Sequence, residues 1–189
     1  MKKISVIGLG YVGLPTFLVL ANVRIKNSYI YSVSGIEKND KHGIFIKSCF
    51  ENKKNWIKNN DPTFKKYLKN SFSRKDVVLR TDLNKINDTD IIIVSINFEV
   101  NNLNKNIFSN IVKLSQQIAS KIKKKTLIIF ESTLPPGTCE NIILPVFKKI
   151  LKKRSLNLKD IYFAYAFERV MPGKNYINSI KFNYRCYSG

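Results

Sequence analysis

One histidine, His42, and three scattered cysteines, Cys49, Cys139 and Cys186, are all the imidazole and thiol in this chain of 189 residues. A histidine-centred triad or metal site therefore has almost no material, and His42 reads as a solvated loop residue. No two cysteines form a C-x-x-C pair, and an odd number of widely spaced thiols argues against a disulfide framework. An uncharged apolar stretch of the roughly 18 residues that a membrane span requires is also missing. The N-terminus shows neither the apolar core nor the small-residue cleavage site of a secretion signal, so a cytoplasmic location without membrane contact is expected. Acidic residues are scarce too: 13 stand against 33 lysines and arginines, a net charge of +20. The lysines are dispersed among asparagine and isoleucine, as in "KKNWIKNND" and "LKKRSLNLKD". That scatter reads as compositional bias with a general attraction for phosphate-bearing ligands, and nucleic acid is not an expected partner.

What is present is enough apolar residue, 44% of the chain, to build the core of one ordinary domain spanning residues 1–189. The run Ile4 to Ile7 predicts a buried strand. Leu14, Phe17, Leu18 and Ala21 then recur at helical spacing, with Pro15 in the first turn where proline is tolerated. "YIYSVSGIE" predicts a second strand. From Lys38 to Asn60 the pattern is broken, and a loop with at most a short helix is expected. Asp61-Pro62 predicts an N-cap and first helical position for a helix reaching about Lys69. "VVLRT" and "DIIIVSI" predict strands, and Ile107, Ile111, Leu114, Ile118 and Ile122 mark an amphipathic helix. "TLIIFES" predicts the next strand. Thr138 is the expected cap of a helix carrying Ile142, Ile143, Val146, Phe147 and Ile150, which Pro145 should kink. "IYFAYAFE" closes the series. Strands alternating with helices in this way predict a Rossmann-like, doubly wound, mostly parallel α/β sheet of about six strands with helices on both faces.

The string "KKISVIGLGYVGLP" places Gly8, Gly10 and Gly13 at G-x-G-x-x-G spacing directly after the first strand. Such glycines serve the tight turn, the close approach of backbone to a pyrophosphate, and helix packing on the sheet. Gly8, Gly10, Tyr11, Val12 and Gly13 thus form the expected phosphate loop, backed by the positive end of the helix. Glu37 ends the second strand at about the 20-residue distance at which an acid accepts from the ribose hydroxyls. A carboxylate there repels a 2′-phosphate, so the expected cofactor is NAD rather than NADP.

The fuller "GLGYVGLP" resembles the N-terminal domain of the nucleotide-sugar 6-dehydrogenases, which oxidise UDP-glucose, UDP-N-acetylhexosamines or GDP-mannose to uronic acids. "ESTLPPGTCENIILPVF" is similar to that family's S-T-x-P-x-G-T segment, and "FERVMPGKNYINSIKFNYRCYSG" to its P-E-R-V-x-P-G-K segment. The resemblance implies that Thr133 lies near the reacting carbon and completes the cofactor site, and that Glu168 assists hydrolysis of a covalent intermediate. It implies that Arg169 and Lys174, with Glu168, close on a nucleotide sugar, most simply a UDP-sugar. Because Thr133 and Glu168 both follow strands, they are expected to face one crevice.

Three departures stand out: Ser95-Ile96-Asn97 replaces a T-P-T-like stretch, leaving Asn97 as the expected cofactor contact; Phe167 replaces a proline; and no L-N-x-G stretch follows Glu37. The family's nucleophilic cysteine belongs to a later domain, so none of the three cysteines is assigned that role, no metal is expected, and these residues alone are expected to bind NAD without completing the oxidation. A homodimer is implied for the full-length architecture only. A hydroxyacid or 6-phosphogluconate-type dehydrogenase domain shares the glycine loop, and a basic nucleotide- or RNA-binding module would use the charge instead. The downstream "ESTLPPGT" and "ERVMPGK" segments argue against the first; salt-dependent RNA binding that ignores NAD would favour the second.

Overall fold

The computed structural model describes residues 1–97, 108–168, 170 and 173–189. Strand β1 (Lys2–Ile7) buries its last four residues and leads into helix α1 (Gly13–Asn22), whose Leu14, Phe17, Leu18 and Ala21 are buried as the spacing requires. A short hairpin follows, β2 (Arg24–Ile25) and β3 (Ser28–Tyr29), turned by Lys26 and Asn27 at positive φ as two-residue hairpin turns demand. The segment expected to be one strand is therefore divided: only β4 (Tyr31–Ile36) joins the main sheet.

Helix α2 (Lys41–Glu51) corrects the expected loop, and it takes His42 with it. Asp40 caps it by accepting from the Gly43 N–H at 2.9 Å. Its buried face is only Gly43, Ile46 and Phe50, too sparse a stripe to read among lysines and asparagines. Helix α3 (Pro62–Phe72) has the expected Asp61 cap, which accepts from Thr63 and Phe64 N–H at 2.7 and 3.3 Å. Strands β5 (Val77–Arg80) and β6 (Ile91–Val94), helix α4 (Ser109–Ala119) and strand β7 (Leu127–Phe130) follow. Of the predicted α4 stripe, Ile107 lies outside the described residues, while Ile111, Ile118 and Ile122 are fully buried.

Thr138 does not cap a helix: its hydroxyl donates to the Pro135 carbonyl at 2.6 Å, and a π-helical turn, Cys139–Ile143, begins beside it. Helix α5 (Leu144–Lys153) continues from that turn with Pro145 in its first turn. Pro145, which has no N–H to donate, thus stands directly after a break in regular α-helical bonding. Strand β8 (Tyr162–Tyr165) and helix α6 (Tyr176–Phe182) complete the chain; no periodicity announced α6.

All six strands of the main sheet run parallel in the order β5-β4-β1-β6-β7-β8. Chain order thus reverses at β1, which pairs with β4 on one side (Ile4 opposite Val33) and β6 on the other (Ile4 opposite Ile91). One face is covered by α1, α2, α3 and α6, with Phe17, Phe50, Phe64 and Ile177 in its core. The other is covered by α4 and α5, with Ile111, Ile118, Phe147 and Leu151. Such a sheet opens a crevice beyond its carboxyl ends at the reversal point.

Candidate functional site

That crevice is a cleft of ≈ 990 Å³ running from Gly8, Gly10, Tyr11 and Val12 to Ser95, Asn97 and Thr133, with Glu37 on its wall. The three glycines of the loop answer to three different constraints. Gly8 has φ +85°, and a Cβ there would stand 2.5 Å from the Ser95 carbonyl oxygen. At Gly13 a Cβ would stand 1.8 Å from the Gly8 carbonyl oxygen, so the helix start packs against the loop itself. A Cβ on Gly10 would meet nothing within 4 Å. Only an external group needs Gly10 bare, and the loop therefore fits a pyrophosphate laid across it.

The turn is tied down from the end of β4. Gly8 N–H donates to the Ile36 carbonyl at 2.8 Å, and Leu9 N–H donates to Glu37 Oε2 at 2.8 Å. The Lys38 N–H donates to Glu37 Oε1 at 3.0 Å. Glu37 thus holds the loop as well as lining the cleft, and its carboxylate retains lone pairs for hydroxyl donors. This second duty was not foreseen from sequence.

Of the predicted residues, Gly8, Gly10, Tyr11, Val12, Glu37, Asn97 and Thr133 all line the cleft, while Gly13 lies beneath its floor. Thr133 is exposed there, just past the carboxyl end of β7. Glu168 is not on the cleft wall. It is buried beyond the end of β8 and paired with Arg185, which also pairs with the buried Glu131. The crevice expected to hold both Thr133 and Glu168 is therefore lined by Thr133 and reached from Glu168 through Arg185 and Glu131, the last of which does line it. Lys174 is exposed in the turn before α6, and Arg169 lies outside the described residues.

Sequence reasoning missed the Glu131–Arg185–Glu168 bridge. Glu131 stands one residue past β7, the position at which strand-end residues enter a crevice, and that was the available signal. Ser95 Oγ donates to Glu131 Oε2 at 3.0 Å. Burial raises the Glu131 pKa above the ordinary glutamate value, against the opposing pull of Arg185 and the Ser95 hydrogen bond. Among the cysteines, burial and then the neighbouring Glu140 push the Cys139 thiol up to about 11, which disfavours a thiolate. Among the described residues, no group of three or more His, Cys, Asp or Glu side chains could hold a metal ion.

Comparison with known proteins agrees with this geometry. The family described as UDP-glucose/GDP-mannose dehydrogenase family, NAD binding domain, matches residues 2–185. A UDP-N-acetyl-D-mannosamine dehydrogenase from Methanococcus maripaludis is 31% identical over 175 residues, 92% of this chain and 36% of the relative. A UDP-N-acetyl-D-glucosamine 6-dehydrogenase from Salmonella typhi is 25% identical over 181 residues, 95% of this chain and 38% of the relative. The chain thus spans little more than a third of the length of these relatives. In fold, the crystal structure of NDP-N-acetyl-D-galactosaminuronic acid dehydrogenase from Methanosarcina mazei Go1 superposes with a TM-score of 0.84 at 23% identity, over 100% of this chain and 39% of that one.

Proposed function

The chain belongs to the UDP-glucose/GDP-mannose dehydrogenase family as its NAD-binding domain, and from that premise we propose that it serves an enzyme oxidising the C6 alcohol of a UDP-N-acetylhexosamine to the uronic acid. The hydroxyacid dehydrogenase and RNA-binding alternatives fall away with the family match, which covers residues 2–185. The sugar class rests on the names of the relatives, a UDP-N-acetyl-D-mannosamine and a UDP-N-acetyl-D-glucosamine dehydrogenase.

One observation carries the cofactor reading: Gly10 faces open space beyond the carboxyl end of β1, where a Cβ would meet nothing within 4 Å among the described residues other than its chain neighbours. Gly8, Gly10, Tyr11 and Val12 would hold the pyrophosphate, Glu37 the adenosine ribose, and Asn97 and Thr133 the nicotinamide end. NAD, when bound, supplies the hydride acceptor. The chain's own part is to orient that acceptor and to present Thr133 to the sugar. Glu168 is assigned to the hydrolytic half of the reaction, in a site whose burial and Arg185 pairing keep its carboxylate in one orientation. Arg169 and Lys174 are assigned to the nucleotide sugar. Cytoplasmic placement and homodimer formation in the full family architecture belong to the same proposal; among the described residues no helix is long and apolar enough to cross a membrane.

NADH titration followed by fluorescence tests the cofactor assignment. The chain binds NADH, and Gly10→Val abolishes binding while leaving the melting temperature nearly unchanged. Binding that survives Gly10→Val would overturn the placement of the pyrophosphate.

A further inference from the structure

The phosphate loop has a missing rung. Leu14 N–H donates to the Gly10 carbonyl at 3.1 Å and Thr16 N–H to the Val12 carbonyl at 3.2 Å, so helical bonding already runs on either side of Tyr11. The residue between those two donors is Pro15, which has no N–H, and the Tyr11 carbonyl therefore cannot be satisfied from within α1. Its partner comes from 165 residues away: the Tyr176 hydroxyl, at the start of α6, donates to the Tyr11 carbonyl oxygen.

Two contacts place Tyr176 for this. Its ring stacks on Phe64 of α3, with centroids 5.9 Å apart and planes 15° from parallel. The next residue, Ile177, donates its N–H to Asp61 Oδ2 at 2.8 Å, and Asp61 is the buried cap of α3. Burial raises the Tyr176 pKa above the ordinary tyrosine value, so the hydroxyl keeps its proton.

A peptide group is planar and trans, so its carbonyl and its N–H point in opposite directions. Fixing the Tyr11 carbonyl toward Tyr176 therefore fixes the Val12 N–H in the opposite sense, out of the start of α1 and toward the cleft that Val12 lines. That N–H is one of the donors offered to a pyrophosphate at a helix N-terminus. We propose that Tyr176 is a positioning residue of the cofactor site, holding the Tyr11–Val12 peptide so that the Val12 N–H meets the pyrophosphate of NAD. The proposal rests on the NAD reading. It also joins the cofactor loop to the segment carrying Lys174, since the same tyrosine opens α6 immediately after it.

The test is NADH affinity by fluorescence titration of four proteins: the parent chain, Tyr176→Phe, Pro15→Ala and the double variant. Tyr176→Phe keeps the ring on Phe64 and removes only the hydroxyl. It weakens NADH binding about 10-fold, the equivalent of losing one buried hydrogen bond of ~1.4 kcal/mol. Pro15→Ala restores an N–H that can close the helical bond to Tyr11, so that variant binds within about 2-fold of the parent, a difference under ~0.5 kcal/mol. In its background, removal of the Tyr176 hydroxyl then has no further effect. Rescue of this kind separates positioning from mere support of α6, which Pro15→Ala cannot supply. Equal affinity of the parent and Tyr176→Phe, or the same loss in both backgrounds, overturns the proposal. A parent chain that fails to bind NADH overturns the NAD reading instead, and the proposal with it.

Discussion

Replacing Arg185 with methionine puts the charge bridge under the most direct stress. The guanidinium lies between the carboxylates of Glu131 and Glu168, each with a side chain only 2% exposed, and itself keeps 26% exposure. Methionine matches much of its stem and removes the positive charge that Glu131 and Glu168 share. Breaking a buried pair by deleting one partner costs about 3–5 kcal/mol, and the partial exposure of Arg185 favours the lower end, about 3 kcal/mol. With a urea dependence of about 2 kcal/mol per molar, the unfolding midpoint falls by about 1.5 M at neutral pH.

The pH dependence carries the sharper signature. Glu131 already has a raised folded-state pKa, so between the ordinary glutamate value of 4.5 and that raised value the native chain binds more protons than the unfolded chain, and stability falls as pH rises through this window. Losing Arg185 strips away an attraction that opposes this shift, which widens that window and deepens the loss at its upper end. Urea unfolding followed by Trp56 fluorescence, from acid to neutral pH, reads both effects. A midpoint change under about 0.3 M at neutral pH, or a loss that does not shrink on acidification, would refute the assignment of the bridge as a desolvated charge cluster.

Three further outcomes follow from the geometry. Gly8→Ala destabilises the fold by about 2 kcal/mol or more, from the left-handed backbone together with the clash on the Ser95 carbonyl, whereas Gly10→Val changes stability by less than about 1 kcal/mol while removing NADH binding; thermal melts paired with titrations separate the two. Asp61→Ala costs about 2 kcal/mol because one carboxylate caps α3 and also receives the Ile177 N–H of α6; a loss under about 0.5 kcal/mol by denaturant unfolding would contradict this. Thr133→Ala leaves NADH affinity within about 3-fold of the parent, since its exposed side chain is assigned to the reacting sugar and the nicotinamide end while the pyrophosphate and ribose contacts are kept; a larger loss by titration would make it a principal anchor of the cofactor.

Much of the architecture could be read in advance where one residue pattern had one physical solution. The apolar runs of β6 and β7 belong to strands covered on both faces, and the glycine spacing after β1 admits few backbones other than a strand-to-helix turn. Reading failed where burial was sparse or local signals competed. In α2 the three buried residues are diluted by exposed Ile44 and Phe45, which blur the stripe. Thr138 has the chemistry of a cap, yet its hydroxyl donates to the Pro135 carbonyl and the π-turn removes the helix start it would have served.

By itself, the sequence determined the phosphate loop, the acid that closes it and the family to which both belong, because those features are set by residues near one another along the chain and by backbone sterics that allow few alternatives. Only the tertiary structure decided that Arg185 lies between Glu131 and Glu168, that Glu37 holds Leu9, and that Tyr176 replaces the bond Pro15 cannot make. These partners are brought together by the order of strands in the sheet and by the docking of α6 against α1 and α3. Buried charges and carbonyls must find partners wherever the fold brings them within reach, and no local pattern records that distance.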